Sequence, residues 1–274
     1  MEIHFTKMSG TGNDFILIDN RKGDLDPDHL ADWVARVCRR RLSVGADGVI
    51  LIEASERADF RWRFFNADGG EAEMCGNGGR CAVRFARIKG IVQKDQVAFE
   101  TLAGIVRGEL FGNRVKIQLT QPSKPVMELT LQVNGRYITL HSINTGVPHA
   151  IQFVDDIDDL DVVQIGRAVR LHSHFAPQGT NMNFVRVLEG GTLVVRTYER
   201  GVEDETLACG TGCVASALLA GIKGFSTSPV KVLTRSGEKL IVYFSTDGER
   251  FAEVYLEGGA RVIYEGIMDP EALE

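Results

Sequence analysis

An internal repeat constrains this chain of 274 residues more than any other feature. Residues 74–90 match residues 208–224 without a gap, at an offset of 134 positions. The identical residues in the first copy are Cys75, Gly76, Gly78, Ala86, Ile88, Lys89 and Gly90. The same offset aligns residues 11–12 with 145–146, Gly45 with Gly179, Asp47 with Asn181, and 65–66 with 199–200. Because these matches share one register, they favour two fused copies of one unit of about 130 residues over a glycine loop that occurs twice.

Each half is predicted to contain short strands and two helices. Hydrophobic periodicity predicts helices over residues 28–40, 77–88, 162–171 and 211–222, with Gly90 and Gly224 ending two of them. Strands are predicted over 15–19, 48–53, 61–65, 96–100, 114–118, 150–154, 183–187, 192–198, 230–233, 239–244 and 252–256. Because the strands come in runs, we expect an α+β fold (α/β mixed) with two pseudo-symmetric domains, each a mostly antiparallel sheet or barrel around a central helix. The proline-rich segment 120–124 predicts the linker, and hence domains 1–119 and 120–257.

Composition and charge exclude several classes of protein. The formal net charge is −6 and the chain has no basic stripe, so nucleic acid is not an expected partner. The longest stretch without Asp, Glu, Lys, Arg or His, residues 206–222, holds three glycines and is shorter than the ~20 apolar residues of a membrane span. Glu2 and Lys7 lie where a signal peptide would be apolar, so we expect a cytoplasmic protein with no membrane partner. In that reducing compartment the five cysteines are expected to be thiols.

Cys75 and Cys209 each lie immediately before a glycine-rich helix start. The first-turn amides of a helix have no intrahelical acceptor and the helix dipole is positive there, so thiolate is favoured over thiol. The same amides can bind a carboxylate. If the two halves face each other, one thiolate can remove the α-proton of an amino acid and the other thiol can return a proton from the opposite side. Such a reaction inverts the stereocentre without a metal or a cofactor.

Two other uses of these cysteines, and one other use of the glycine loops, fit the sequence less well. A zinc site favours closely spaced cysteine pairs with histidines, which the spacing of Cys75 and Cys81 does not supply. A disulfide between Cys75 and Cys209 is possible if the sulfurs meet. The glycine loops do not continue as a dinucleotide-binding motif. We expect Cys38, Cys81 and Cys213 to pack as small apolar residues.

Five motifs together resemble diaminopimelate epimerase. They are KMSGTGNDF at 7–15, FNADGG at 65–70, MCGNGGRC at 74–81, YERG at 198–201 and ACGTG at 208–212. The broader superfamily of proline racemase-like enzymes shares the paired Cys-Gly-x-Gly motifs, whereas the Asn-Asp-Phe and Glu-Arg-Gly motifs favour the epimerase.

The resemblance implies a cofactor-independent homodimer that interconverts LL- and meso-2,6-diaminopimelate in lysine and peptidoglycan synthesis. It implies that Cys75 and Cys209 are the two bases, with auxiliary catalytic roles for His149 and Glu199. The substrate-binding residues that it implies are Asn13, Asn66, Gly76, Asn77, Asn181, Glu199, Arg200, Gly210 and Thr211. It also implies that segment 258–274 returns to the first domain. No metal is implied.

The residue types agree with a substrate that has two ammonium and two carboxylate groups. Arg200 can bind a carboxylate through two parallel hydrogen bonds, and Glu199 can pair with an ammonium. Two positions depart from the family pattern: Val147 stands where the family often has Asn, and Gly48 where some members have Gln.

Two alternative functions remain open from the sequence. One is a racemase of another amino or imino acid, related to proline racemase. The other is a thiol redox or binding protein, which predicts a measurable couple between Cys75 and Cys209 and no stereochemical turnover.

Overall fold

The computed structural model describes residues 2–25, 29–247 and 250–274. Its four helices there are α1 (Leu30–Val37), α2 (Gly76–Ile88), α3 (Val162–Arg170) and α4 (Gly210–Ile222). The strands are β1 (Ile3–Gly10), β2 (Asn13–Asp19), β3 (Gly48–Glu53), β4 (Phe60–Asn66), β5 (Glu71–Ala72), β6 (Gln96–Thr101), β7 (Gly104–Phe111), β8 (Arg114–Gln118), β9 (Val126–Val133), β10 (Arg136–Asn144), β11 (Pro148–Phe153), β12 (Asn181–Val187), β13 (Leu193–Glu199), β14 (Asp204–Thr206), β15 (Val230–Leu233), β16 (Lys239–Asp247), β17 (Arg250–Gly259) and β18 (Arg261–Met268). The chain divides into two compact units: unit 1 is Met1–Ile117 with Gly258–Glu274, and unit 2 is Gln118–Glu257.

The two units repeat one scheme of strand pairing. In unit 1, β2 pairs parallel with β3, β3 antiparallel with β4, and β4 parallel with β6. In unit 2, β11 pairs parallel with β12, β12 antiparallel with β13, and β13 parallel with β15. In each unit, antiparallel neighbours extend this sheet: β1, β7 and β8 in unit 1, and β10, β16 and β17 in unit 2.

The parallel pairs correct one part of the sequence prediction. The run of strands favoured antiparallel neighbours, but each unit contains two parallel pairs joined across a helix. The connection from β2 to β3 carries α1, and the connection from β11 to β12 carries α3. Parallel neighbours need a crossover of this kind because a tight hairpin cannot join them. Antiparallel pairs still outnumber parallel pairs in each unit, so the prediction of mostly antiparallel sheets within a mixed α/β fold is confirmed.

A buried helix forms the core of each unit. In α2 the side chains of Cys81, Ala82, Val83, Phe85 and Ala86 are buried, and the helix packs against β1, β2, β3 and β7. In α4 every residue from Gly212 to Ala220 is buried, as expected of a helix that is apolar on all sides. Both helices end where predicted, because Gly90 and Gly224 adopt left-handed backbone conformations.

The sequence patterns predicted α1 and several of the strands less accurately than α2 and α4. α1 is shorter than the predicted 28–40; its predicted first residue lies outside the described residues, and the helix ends at Val37. All predicted strands overlap observed ones, but seven strands were missed: β1, β5, β7, β9, β10, β14 and β18. The β9–β10 hairpin carried a usable signal, because Asn134-Gly135 forms its turn with positive φ at both residues.

Candidate active site

In unit 1, the first candidate cysteine caps the central helix. Cys75 is the N-cap of α2 with an extended backbone, and the Gly78 N–H donates to its Sγ at 3.4 Å. Gly76 and Asn77 occupy the first turn, and Cys75 is half-buried. The sulfur therefore lies at the positive end of the helix dipole, next to amides that have no carbonyl partner inside the helix.

Asn77 connects the start of α2 to the first residue of β2. Its Nδ2 donates to Asn13 Oδ1 at 2.5 Å, and its Oδ1 accepts from Arg80 Nη2 at 2.8 Å. The fully buried Arg80 also donates to Thr11 Oγ1 at 2.7 Å. Asn13 in turn donates to Asp47 Oδ2 at 3.1 Å. The side chains of Asn13 and Asn77 are thus held in a single hydrogen-bonded chain.

Charged residues hold in place the strand ends that support the hydrogen bonds of Asn13 and Asn77. Lys7 Nζ lies 2.7 Å from Asp14 Oδ2, and Arg40 contacts both Asp14 and Asp47. Burial by itself would raise the pKa of Asp14, but hydrogen bonds from Arg40 and Lys7 outweigh it and hold that pKa below its usual range. Asp14 is therefore ionised at neutral pH and pairs with two cations.

Two glycines are required by close contacts around this part of unit 1. A Cβ on Gly10 would lie 2.7 Å from the carbonyl oxygen of Asn77. A Cβ on Gly48 would lie 2.4 Å from the carbonyl oxygen of Phe65. At Gly48, where the family pattern can have Gln, β3 and β4 of this chain therefore leave no room for a side chain.

In unit 2, Cys209 is the N-cap of α4 and is 5% exposed. Its Sγ lies 3.6 Å from Thr211 Oγ1, which in turn lies 3.0 Å from His149 Nε2. Thr145 Oγ1 donates to the Thr211 carbonyl at 3.0 Å and fixes the first turn of α4. The sulfur and the imidazole are therefore linked through one hydroxyl group.

His149 is buried and makes a second polar contact on its other side. The ring is 1% exposed, and Asn183 Nδ2 lies 3.1 Å from Nδ1. Burial, with a smaller contribution from the charge of Arg200, lowers the pKa of His149 to about 3. The imidazole is consequently neutral across the physiological range of pH.

The predicted substrate-binding residues of unit 2 meet at the end of three adjacent strands. Asn181 begins β12 beside His149 on β11, and its Oδ1 accepts the Arg200 N–H at 2.7 Å. Glu199 is the last residue of β13, and Arg200 follows it with Nη1 donating to the Gln178 carbonyl at 3.0 Å. Glu199 and Arg200 are both half-buried.

Asn66 has the corresponding position in unit 1. It is the last residue of β4, opposite Gly48 at the start of β3, and its side chain is exposed. The equivalent strand of unit 2 ends at Glu199, not at Arg200. The alignment of Asn66 with Arg200 is therefore wrong by one position at this strand end, although the offset of 134 holds for both helices.

The structure brings together most of the predicted residues within each unit. In unit 1 these are Asn13, Cys75, Gly76 and Asn77; in unit 2 they are His149, Asn181, Arg200, Cys209, Gly210 and Thr211. Sequence reasoning missed Arg80, Asp47 and Asn183. A signal existed for Asn183, because it is a polar residue in a buried strand and lies on the same face as Asn181 by strand alternation.

Neither a metal-binding cluster nor a membrane-spanning helix is found in the part of the chain that the structure describes. Across residues 2–25, 29–247 and 250–274, the structure has no group of three or more His, Cys, Asp or Glu side chains that could hold a metal ion. In the same residues, no helix has the length and apolar character needed to cross a membrane.

Comparison with known proteins decides the family. The family model described as diaminopimelate epimerase matches residues 5–125 and again 141–263. The chain belongs to the diaminopimelate epimerase family. It is 49% identical to a diaminopimelate epimerase of Aquifex aeolicus, with 99% of this chain and 100% of that protein covered. It is 45% identical to one from Chlorobaculum tepidum, with 94% and 98% covered. The predicted family and the predicted class of isomerase are thereby confirmed.

Solved structures of more distant proteins share the fold of this family member. A phenazine biosynthesis protein of the PhzF family from Bacillus anthracis aligns with a TM-score of 0.77 at 16% identity, covering 98% of this chain and 99% of that one. A hydroxyproline epimerase from Agrobacterium vitis aligns with a TM-score of 0.67 at 16% identity, covering 99% and 94%. Together with the two matched ranges of the family model, they confirm the mixed α/β fold with two repeats.

Proposed function

We propose that this chain interconverts LL- and meso-2,6-diaminopimelate and that Cys75 and Cys209 are its two acid/base groups. The observation that carries the proposal is that each unit of this diaminopimelate epimerase family member has a cysteine as the N-cap of a buried helix of 13 residues. Each helix start offers first-turn amides beside the sulfur. The same chemical device therefore occurs twice, as a two-base reaction requires.

The reaction balances without any external oxidant or reductant. One cysteine, as thiolate, takes the α-proton of the substrate, and the C–H electron pair moves into the adjacent carboxylate. The other cysteine, as thiol, gives its proton to the α-carbon from the opposite side. After one turnover the two cysteines have exchanged protonation states and the stereocentre is inverted. The backbone amides of Gly76, Asn77, Gly210 and Thr211 are proposed to stabilise the carboxylate charge that develops.

The charged side chains of Arg200 and Glu199 are proposed to select the substrate. Arg200 can bind a carboxylate and Glu199 an ammonium, as expected for a molecule with charged groups at both ends. Asn66 and Asn181 are proposed to add polar contacts. Asn13 is proposed to act together with Asn77, because each of these two side chains already holds the other in place.

The cellular setting is proposed from the family alone. We place the reaction in lysine and peptidoglycan synthesis in the cytoplasm, with no cofactor. We also propose a homodimer, for which β18 offers outward-facing Ile263 and Ile267 beside Tyr264. Light scattering after size exclusion tests this: twice the chain mass of 30.1 kDa supports the homodimer, and a single chain mass contradicts it.

A chiral assay with excess reductant tests the proposed reaction. Purified enzyme is incubated with LL-diaminopimelate, L-proline or trans-4-hydroxy-L-proline, and the stereoisomers are separated over time. Formation of meso-diaminopimelate alone supports the proposal. Racemisation of proline or hydroxyproline instead would favour the imino-acid racemase. Loss of all turnover under reducing conditions, together with a reversible thiol couple, would favour the redox protein. Cys38→Ala is the matched control for replacement of Cys75 or Cys209, because Cys38 is a buried core residue directly after α1.

A further inference from the structure

A chain of hydrogen bonds in unit 2 ends at the sulfur of Cys209. We propose that Asn183 is a positioning residue that fixes His149 with its proton on Nε2, so that Thr211 donates its hydroxyl hydrogen to Cys209 Sγ. The consequence for catalysis rests on the proposed two-cysteine reaction, whereas the hydrogen-bond chain itself does not.

The orientation of the Asn183 amide is determined by its neighbours. Asn183 Nδ2 lies 3.1 Å from the Ala150 carbonyl oxygen, which can only accept a hydrogen bond. Thr197 Oγ1 donates to Asn183 Oδ1 at 2.9 Å. A flipped amide would put two acceptor oxygens against each other at Ala150. Since Asn183 is fully buried, that unpaired contact would be costly.

The amide orientation determines the proton position on His149. Asn183 Nδ2 already donates to Ala150, and its second hydrogen is directed to His149 Nδ1 at 3.1 Å. Nδ1 must then accept, and the single proton of the neutral ring is on Nε2. Burial, which lowers the pKa of His149 to about 3, supports this because it keeps a second proton off the ring. Arg200, whose charge acts on His149, has the same effect.

The proton position on His149 leaves one role for the Thr211 hydroxyl. His149 Nε2–H donates to Thr211 Oγ1 at 3.0 Å, so the hydroxyl hydrogen is available to another acceptor. Cys209 Sγ lies 3.6 Å away, within range for a hydrogen bond to sulfur. A hydrogen bond donated to a thiolate stabilises the charged form. Cys209 thus has a directed donor in addition to the helix amides.

Unit 1 lacks this arrangement at the repeat-equivalent positions. By strand register His149 corresponds to Phe15 and Asn183 to Ile50, and at the helix offset of 134 Thr211 corresponds to Asn77. Cys75 Sγ instead accepts from a backbone N–H in its own helix. The two sulfurs of the repeat therefore differ in how they are stabilised, and Cys75 serves as an internal control for any effect on Cys209.

Nitrogen NMR of histidine tests the proton position directly in the unmodified enzyme. The chain is labelled with ¹⁵N-histidine, and the His149 signals are identified by their loss in His149→Gln. We expect a protonated, pyrrole-type Nε2 and an unprotonated, pyridine-type Nδ1 from pH 6 to pH 8. A protonated Nδ1 would overturn the proposal. Because no substrate is needed, this result is independent of whether the proposed reaction is correct.

Alkylation of the two thiols tests the effect on Cys209. Iodoacetamide labelling is followed for each cysteine by peptide mass spectrometry at neutral pH. Thr211→Val and Asn183→Asp are each expected to slow labelling of Cys209 by about tenfold, as the loss of one hydrogen bond to a charged group implies, while Cys75 is unchanged. In Asn183→Asp the carboxylate accepts from the ring, which moves the His149 proton to Nδ1 and turns the Thr211 hydroxyl towards Nε2.

Two further variants separate the hydrogen bond from a structural effect. Thr211→Ser keeps the hydroxyl and is expected to retain the labelling rate of Cys209. Ser216→Ala removes another buried hydroxyl of α4, which donates to the Gly212 carbonyl, and is expected to leave both thiols unchanged. Equal slowing of Cys75 and Cys209, or no slowing in Thr211→Val, would overturn the proposal. In the epimerase assay, kcat is expected to fall in Thr211→Val with KM little changed.

Discussion

Replacing Asn77 by Ala should destabilise unit 1, because it removes two side-chain hydrogen bonds. The change removes one hydrogen bond from a charged donor, Arg80, and one from the neutral amide pair with Asn13. A bond to a charged group contributes about 1.5–3 kcal/mol and a neutral one about 0.5–1.5 kcal/mol. We therefore expect Asn77→Ala to lower the free energy of unfolding by about 2–4.5 kcal/mol. At about 2–4 °C per kcal/mol, the Tm should fall by roughly 4–18 °C.

The assay can be confined to the unit that carries the change. Both tryptophans of the chain, Trp33 and Trp62, lie in unit 1, so urea unfolding followed by tryptophan fluorescence monitors that unit. Asn66→Ala is the matched control, because Asn66 is an exposed residue at a strand end. Its effect should stay within about 0.5 kcal/mol. A loss of less than about 1 kcal/mol in Asn77→Ala would refute the reasoning that this buried chain of hydrogen bonds supports α2.

Three further predictions concern unit 1. Because the folded pKa of Asp14 is below its usual value, its stabilisation is present above the unfolded pKa and is lost as pH falls through the folded pKa. Urea unfolding between about pH 5 and pH 3 should therefore show a smaller acid-induced loss in Asp14→Asn than in the wild type; equal losses would contradict this. Gly48→Ala should cost about 1–3 kcal/mol by the same assay, because its Cβ would lie 2.4 Å from the Phe65 carbonyl oxygen, and a neutral result would contradict that packing. Burial raises the pKa of the Cys38 thiol to about 11, so iodoacetamide should leave Cys38 unlabelled at pH 8 until urea unfolds the protein; labelling in the native state would contradict it.

The parts of the fold that sequence predicts well are those with local causes. α2 and α4 begin after a cysteine and end before a glycine with positive φ, and both signals lie within a few residues of the helix. Because the sequence of α2 matches that of α4 at an offset of 134, the prediction made for one helix applies to the other. The buried face of α2 follows from the spacing of its apolar residues, whereas α4 is apolar on all sides and is buried as a whole.

The parts that sequence misses depend on contacts between distant strands. Asn183 faces His149 because β11 and β12 pair in parallel. The predicted helix 162–171 lies between these two strands, but it does not determine which of their residues lie opposite each other. Likewise Arg80 reaches Thr11 across unit 1, 69 positions away along the chain. Such contacts are set by strand register and by the packing of the central helix. The contact of Asn183 with His149 and that of Arg80 with Thr11 therefore become visible only in three dimensions.

Solvent deuterium exchange during epimerisation tests the two-cysteine reaction most directly. LL- and meso-diaminopimelate are each incubated with enzyme in D₂O, and loss of the α-proton and inversion are followed by proton NMR and chiral separation. For the wild type we predict inversion with one deuterium placed at the inverted carbon. Cys75→Ala and Cys209→Ala should each abolish inversion, whereas Cys38→Ala should retain it. Epimerisation at the wild-type rate in either Cys75→Ala or Cys209→Ala would contradict the proposed mechanism.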